Sequence, residues 1–130
     1  MSTALFILGR ATFDVAYAES RVAAALDVLD GLGVETVGPR EILYDAEAVT
    51  QALAGLDAAA VDRVLIVQAT FCDAGAAVAI AEALPAPLTL WAFPEPRTGG
   101  RLRLNAFCGL NLAAHALGLR RRALSYLYAD

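Results

Sequence analysis

Two short segments of this 130-residue chain carry side chains able to meet a ligand, and they echo each other. The first is Gly9-Arg10-Ala11-Thr12-Phe13-Asp14; the second is Gln68-Ala69-Thr70-Phe71-Cys72-Asp73. Each follows an apolar run and precedes a helical pattern, which is where open α/β sheets bind small molecules. Together they offer hydroxyls, an amide, a guanidinium and two helix N-termini, a set that suits a polyhydroxylated or anionic small molecule. A plainer reading makes Asp14 and Asp73 helix caps, with Thr12 and Thr70 bonding backbone amides. Arg10 and Gln68 are harder to account for as caps.

A second group surrounds a long loop, Pro94-Glu95-Pro96-Arg97-Thr98-Gly99-Gly100. Trp91, Glu95, Arg97 and Asn105 flank it. The Pro-Glu-Pro start is stiff and the Gly pair after it is mobile, so the segment reads as a substrate lid or a subunit contact. Trp91 reads as a core residue first and a sugar platform second. Arg97, Arg101 and Arg103 are candidates for pairing with an acidic partner surface or an anionic ligand. Arg120, Arg121 and Arg122, at a helix end where cations belong, read as a solvated face.

Other reactive residue types carry less. His115 is the only histidine and lies among Ala113, Ala114 and Ala116, without the partners that a triad or metal site needs. Cys72 and Cys108 sit in first helical turns, where a dipole can lower a thiol pKa, yet each reads first as a small buried hydrophobe. Gly31-Leu32-Gly33 looks like half a dinucleotide fingerprint, but it ends a helix where the fingerprint must follow a strand.

The elements that position these groups alternate along the chain. Ala4–Leu8 is an apolar run, and a helical stretch from Asp14 places Val15, Val22, Leu26 and Leu29 on one face before Gly31 and Gly33. Val34–Val37 reads as a weak second strand ended by Gly38-Pro39. Asp45 caps a second helix through Val49, Leu53 and Leu56, and Arg63–Val67 is a branched run of the kind buried in a parallel sheet. A third helix spans Asp73 to Leu84, Leu88–Phe93 is a fourth strand, Asn105 opens a fourth helix to Leu117, and Ala123–Tyr128 is a fifth strand. Strict alternation predicts an α/β fold: a flavodoxin-like, doubly wound, parallel five-stranded sheet of order 2-1-3-4-5. The two echoing loops then face each other across the crevice. No final helix follows to cover the first face. Strands three and four are therefore expected to be half bare, as in a fragment or a chain that needs a partner.

Composition narrows the function further. Hydrophobic residues make up 58% of the chain and charged residues 18%, enough apolar material for one domain with a core. All ten basic residues are Arg against fourteen acidic ones, net −4. That argues against a nucleic-acid binder, and without Lys a Walker loop, a pyridoxal Schiff base and a phospho-receiver site are excluded. Residues 1–96 carry net −9, whereas 97–129 hold six Arg and no acid. Two cysteines are too few for a disulfide scaffold or a thiolate zinc site. No leader or membrane span is read, so the chain is expected to be cytoplasmic.

Three stretches carry a likeness: Val67–Asp73; Trp91-Ala92-Phe93-Pro94-Glu95-Pro96-Arg97-Thr98-Gly99-Gly100-Arg101-Leu102-Arg103-Leu104-Asn105; and Cys108–His115. They resemble the amino-terminal region of the L-fucose/L-arabinose isomerase-like family. The resemblance implies that residues 1–130 form one flavodoxin-like domain, the amino-terminal part of a longer aldose–ketose isomerase of carbohydrate metabolism. It implies Mn2+ in the full-length enzyme, with ligands in later segments and no cofactor in this chain. It also implies a homo-oligomer in which this domain helps close another subunit's sugar site, and it likens Arg10 and Trp91 to residues lent to that pocket. Position adds Thr12, Gln68, Thr70 and Glu95 to the substrate-binding candidates, while Arg97, Arg101 and Arg103 remain interface candidates. No catalytic residue is expected, so the chain alone should be inactive. Competing readings are a stand-alone binder of a small sugar or sugar phosphate, and a structural partner subunit. A flavin domain is weaker, because the loop after the first strand lacks the Ser, Thr and Gly run that cradles a flavin phosphate.

Overall fold

A computed structural model describes all of residues 1–130. The strands are β1 (Thr3–Leu8), β2 (Thr36–Val37), β3 (Ile42–Leu43), β4 (Arg63–Gln68), β5 (Leu88–Ala92) and β6 (Leu124–Tyr128). The helices are α1 (Val15–Gly31), α2 (Ala46–Ala54), α3 (Ala74–Ala83) and α4 (Ala106–Leu119), with a short 3-10 turn at Ala58–Ala60.

The sheet is wholly parallel, in the order β2-β1-β4-β5-β6, and β3 also pairs with β1. This is the flavodoxin-like order read from the sequence, with one difference. The expected second strand, Val34–Val37, is an edge strand broken in two. Thr36–Val37 pairs with Thr3–Ala4, and Ile42–Leu43 pairs with Ile7–Leu8. The break has a steric cause. Gly38 adopts φ 103, and a Cβ there would lie 2.9 Å from the Leu5 carbonyl oxygen. The chain therefore passes close over β1, bulges through Pro39-Arg40-Glu41, and rejoins the sheet for only two residues.

Register sorts the strand side chains between the faces. Phe6, Ile66, Leu90 and Tyr126 lie in one row, while Ile7, Val67, Trp91 and Leu127 lie in the row on the opposite face. Right-handed crossovers place α1 on one face and α2, α3 and α4 on the other. One continuous core runs through the sheet, with Phe6, Phe93, Leu5, Ile7, Ile66 and Leu90 among its fully buried side chains.

The expectation that strands three and four are half bare is not met. In β4, Val64, Ile66, Val67 and Gln68 are buried, and in β5 only Thr89 is half exposed. Trp91 and Phe93 pack their rings edge to face, 5.4 Å apart, and fill the space themselves. Exposure falls instead on β6, where Ser125, Tyr126, Leu127 and Tyr128 are all open to solvent. Arg122 is also tied down, contrary to the solvated reading. Its guanidinium donates to the carbonyls of Ala81, Leu84 and Ala86, capping the carboxyl end of α3.

Candidate functional site

The site is built at the carboxyl ends of β1, β4 and β5. Gly9 ends β1, where a Cβ would meet Ile42 Cγ2 at 2.9 Å and Thr70 Oγ1 at 3.1 Å. That close approach brings the two echoing loops into contact. The Arg10 amide donates to Thr70 Oγ1 at 2.8 Å, and the Thr70 hydroxyl donates to the Phe71 carbonyl at 3.0 Å. The Phe13 and Phe71 rings lie 6.1 Å apart, and the Arg10 guanidinium sits over Phe71, 5.4 Å from its centre.

The two aspartates part company. Asp14 caps α1, accepting from the Tyr17 amide at 3.0 Å. Asp73 stands at the N-cap of α3 but gives that helix no side-chain hydrogen bond, because its carboxylate is drawn onto the Arg10 guanidinium. Thr12 is exposed and bonds no backbone amide, whereas Thr70 is buried and joins the loops.

A strap from Pro94 to Leu104 crosses above. The Glu95 carboxylate accepts the backbone amides of Arg103, Leu104 and Asn105, which pins the strap and stands at the N-terminus of α4. Asn105 has φ 50 and offers no side-chain cap, so the carboxylate takes that place. Arg103 is committed within the chain: its Nε donates to Asp14 at 2.8 Å, and its guanidinium lies 4.0 Å from the Tyr17 ring centre. The Tyr17 amide first, and Arg103 second, hold the Asp14 carboxyl below the usual carboxylate range. Arg97 and Arg101 are exposed on the strap and form no ion pair.

Two candidates lie inside. Gln68 is fully buried beneath Gly109 of α4, and neither its Oε1 nor its Nε2 finds a hydrogen-bond partner. Trp91 is 6% exposed, and its Nε1 donates to the Ala129 carbonyl at 2.8 Å. Of the six substrate-binding candidates, Arg10 and Thr12 reach the surface, Glu95 is half-buried and occupied, and Thr70, Gln68 and Trp91 are interior.

Two hollows flank the joined loops. One, of about 260 Å³, lies between the exits of β1 and β3 and the N-termini of α2 and α3. Leu8, Leu43 and Val49 contribute apolar walls, with Arg10, Tyr44, Asp45 and Asp73 among the polar ones. Burial, and Glu19 after it, push the Tyr44 phenol up. The other is an open groove of about 270 Å³ lined by Thr12, Phe13, Asp14, Arg101, Leu102 and Arg103.

Residues 4–130 match the family described as fucose/sulfoquinovose isomerase, N-terminal domain. This chain belongs to that family. A sulfoquinovose isomerase of Priestia aryabhattai is 29% identical over 130 residues, covering 99% of this chain and 29% of the relative. One from Clostridium sp. (strain MSTE9) is 31% identical over 111 residues, 85% of this chain and 24% of the relative. The chain thus spans less than a third of the length of these curated relatives. The family description shares fucose with the resemblance read from the sequence and adds sulfoquinovose.

As a fucose/sulfoquinovose isomerase amino-terminal domain, the chain assembles no group of three His, Cys, Asp or Glu side chains able to hold a metal. Its residues do not fit Mn2+. His115 is exposed on α4. Cys108 is exposed rather than buried, and Cys72 is half-buried. Burial, followed by the adjacent Asp73, pushes the Cys72 thiol up, the reverse of what its helix position alone suggests. No helix is long and apolar enough to cross a membrane.

Sequence reasoning missed Tyr17 and Tyr44. Tyr17 looks like any residue in the first turn of a helix until Arg103, 86 positions away, is laid over it. Tyr44 follows a strand too short to announce itself.

Proposed function

We propose that this chain is the amino-terminal, substrate-closing and subunit-packing domain of a cytoplasmic, homo-oligomeric aldose–ketose isomerase of carbohydrate metabolism. The observation that carries this reading is the joined pair of loops at the switch point of the sheet. There the Arg10 guanidinium lies over Phe71, the half-buried Phe13 and Phe71 rings pack together, and Thr12 stands exposed on the same loop as Arg10. Hydroxyl and guanidinium groups satisfy sugar hydroxyls, while aromatic faces accept the apolar side of a sugar ring.

The domain's own part is to bind, orient and exclude water. The reaction turns a 2-hydroxy aldehyde into a 1-hydroxy ketone: the hydrogen on C2 moves to C1 and a proton passes from O2 to O1, and a metal held by ligands outside this domain would polarise the two oxygens. Those ligands belong to the rest of the protein, so the 130-residue chain alone performs no conversion. Interface roles for Arg97, Arg101 and Arg103 are supported by the basic character of residues 97–129 against the acidic remainder. Arg103 contributes indirectly, by holding the strap to α1.

The relatives' name points to sulfoquinovose, a hexose carrying a sulfonate, beside the fucose of the family description. The deciding experiment is the intact mass of the native gene product, followed by its metal-dependent conversion of sulfoquinovose, L-fucose and L-arabinose. A product several times heavier that isomerises one of these, with a raised KM in Arg10→Gln, supports the reading. A native product of 130 residues that binds sugar without converting it makes the chain a stand-alone binding module. Co-purification with a separate catalytic polypeptide makes it a partner subunit.

A further inference from the structure

The groove at the β1 exit has a charge balance that the other polar surfaces of the site lack. Asp14 lines it, but its carboxylate is already taken by the Tyr17 amide and Arg103. Arg103 is spent in the same contact and stacked on Tyr17. Arg101 is left as the one cation of the groove with no carboxylate of its own. Arg10 on the neighbouring loop differs, because Asp73 neutralises it.

Arg101 is also held in place. Gly99 and Gly100 take φ 70 and 83, a left-handed pair that turns the strap just before Arg101. Two and three residues after Arg101 the amides of Arg103 and Leu104 are clamped by Glu95, and the carbonyl of the buried Leu104 accepts the Phe71 amide at 2.7 Å. A cation carried on an anchored backbone binds an anion without the further cost of ordering a loop. Thr12, exposed in the lining of the same hollow, supplies a hydroxyl.

We propose that this groove takes the acidic end of the substrate and that Arg101 reads it, selecting a sulfonated sugar over its neutral counterpart. The proposal rests on the reading of this end of the sheet as part of a sugar site and adds the residue that tells a charged substrate of that site from a neutral one. Guanidinium groups bind sulfonate and carboxylate oxygens through charge-assisted, forked hydrogen bonds, and a neutral sugar leaves that fork empty.

The test is an amide NMR titration of the 130-residue chain, at constant ionic strength, with sulfoquinovose and with quinovose, which carries hydrogen in place of the sulfonate. Sulfoquinovose should shift the amides of Thr12, Phe13 and Arg101 to Arg103, and quinovose should bind at least tenfold more weakly. Arg101→Gln should bring the two sugars to equal affinity. Arg63→Gln, at the opposite end of the sheet, should keep the difference and controls for net charge. Equal binding of both sugars by the unaltered chain overturns the role of Arg101 and leaves the sugar site standing. Discrimination that survives in Arg101→Gln does the same. Absence of binding by either sugar overturns the groove itself, and isomerisation by the complete gene product then decides separately whether the broader reading survives.

Discussion

The Glu95 carboxylate accepts the backbone amide of Asn105, ten positions along the chain, at 2.8 Å, closing the loop onto its own start. The same carboxylate holds the amides of Arg103 and Leu104. One side chain therefore fixes the strap, stands in for a missing helix cap and leaves Arg97 and Arg101 free to face outward. A residue read from the sequence as a sugar contact serves here as the clasp that sets where the neighbouring cations stand.

Glu95→Ala leaves three amides without an acceptor and should lower unfolding stability by about 1–3 kcal/mol. Hydrogen exchange should speed up at Arg103, Leu104 and Asn105 while β1 and β4 amides keep their protection. Unchanged exchange at those three positions would show that the clasp is dispensable.

Gln68 buries an amide whose oxygen and nitrogen both lack partners. Gln68→Met keeps the length and removes both orphans, so stability should rise by about 1–2 kcal/mol in a denaturant melt. Gly109→Ala should do the opposite, because its Cβ would lie 2.9 Å from Gln68 Oε1 and 3.2 Å from the Cys72 nitrogen. A less stable Met variant would mean that the amide is satisfied by water.

Asp14 has its carboxyl held below the ordinary range, by the Tyr17 amide first and Arg103 second. A depressed folded-state pKa contributes stability that is present above the unfolded value, about 3.9, and is lost as pH falls through the folded value. Acidification down through that lowered value should therefore release the strap from α1, read as loss of the Arg103 side-chain signal shifted by the Tyr17 ring. Asp14→Asn should show the released strap already at neutral pH.

Arg122 donates to three carbonyls at the end of α3. Arg122→Lys cannot reproduce a planar fork that reaches all three, so it should restore only part of the stability lost in Arg122→Ala. Thermal melts of the two variants, with Arg121→Ala as an exposed comparison, test this. Equal melting temperatures for all three would reduce Arg122 to a solvated charge.

Much of the architecture was legible because β1, β4 and β5 are continuous apolar runs between capped helices. The echo of Thr-Phe and Asp in the two loops placed them correctly as neighbours across β1 and β4. What stayed hidden was decided by distance in sequence. Ile42–Leu43 is a strand only because β1 supplies its partner, and Asp73 fails as a cap only because Arg10 competes for it. Cys108 has the composition of a core residue, but its place on the α4 turn faces it outward. Arg122 follows a run of like charges that suggests a wet helix end, and nothing local reveals that the carbonyls it caps belong to a different helix.

The indole of Trp91 gives the chain a built-in optical gauge. It is the sole tryptophan, nearly dry, packed on Phe93 and hydrogen-bonded to the carbonyl of Ala129, just past β6. Its emission colour is therefore coupled to whether the outermost strand is seated. A red shift would announce that strand peeling from the sheet before the rest of the fold gives way, and a second polypeptide docking over β6 would be heard through the same residue.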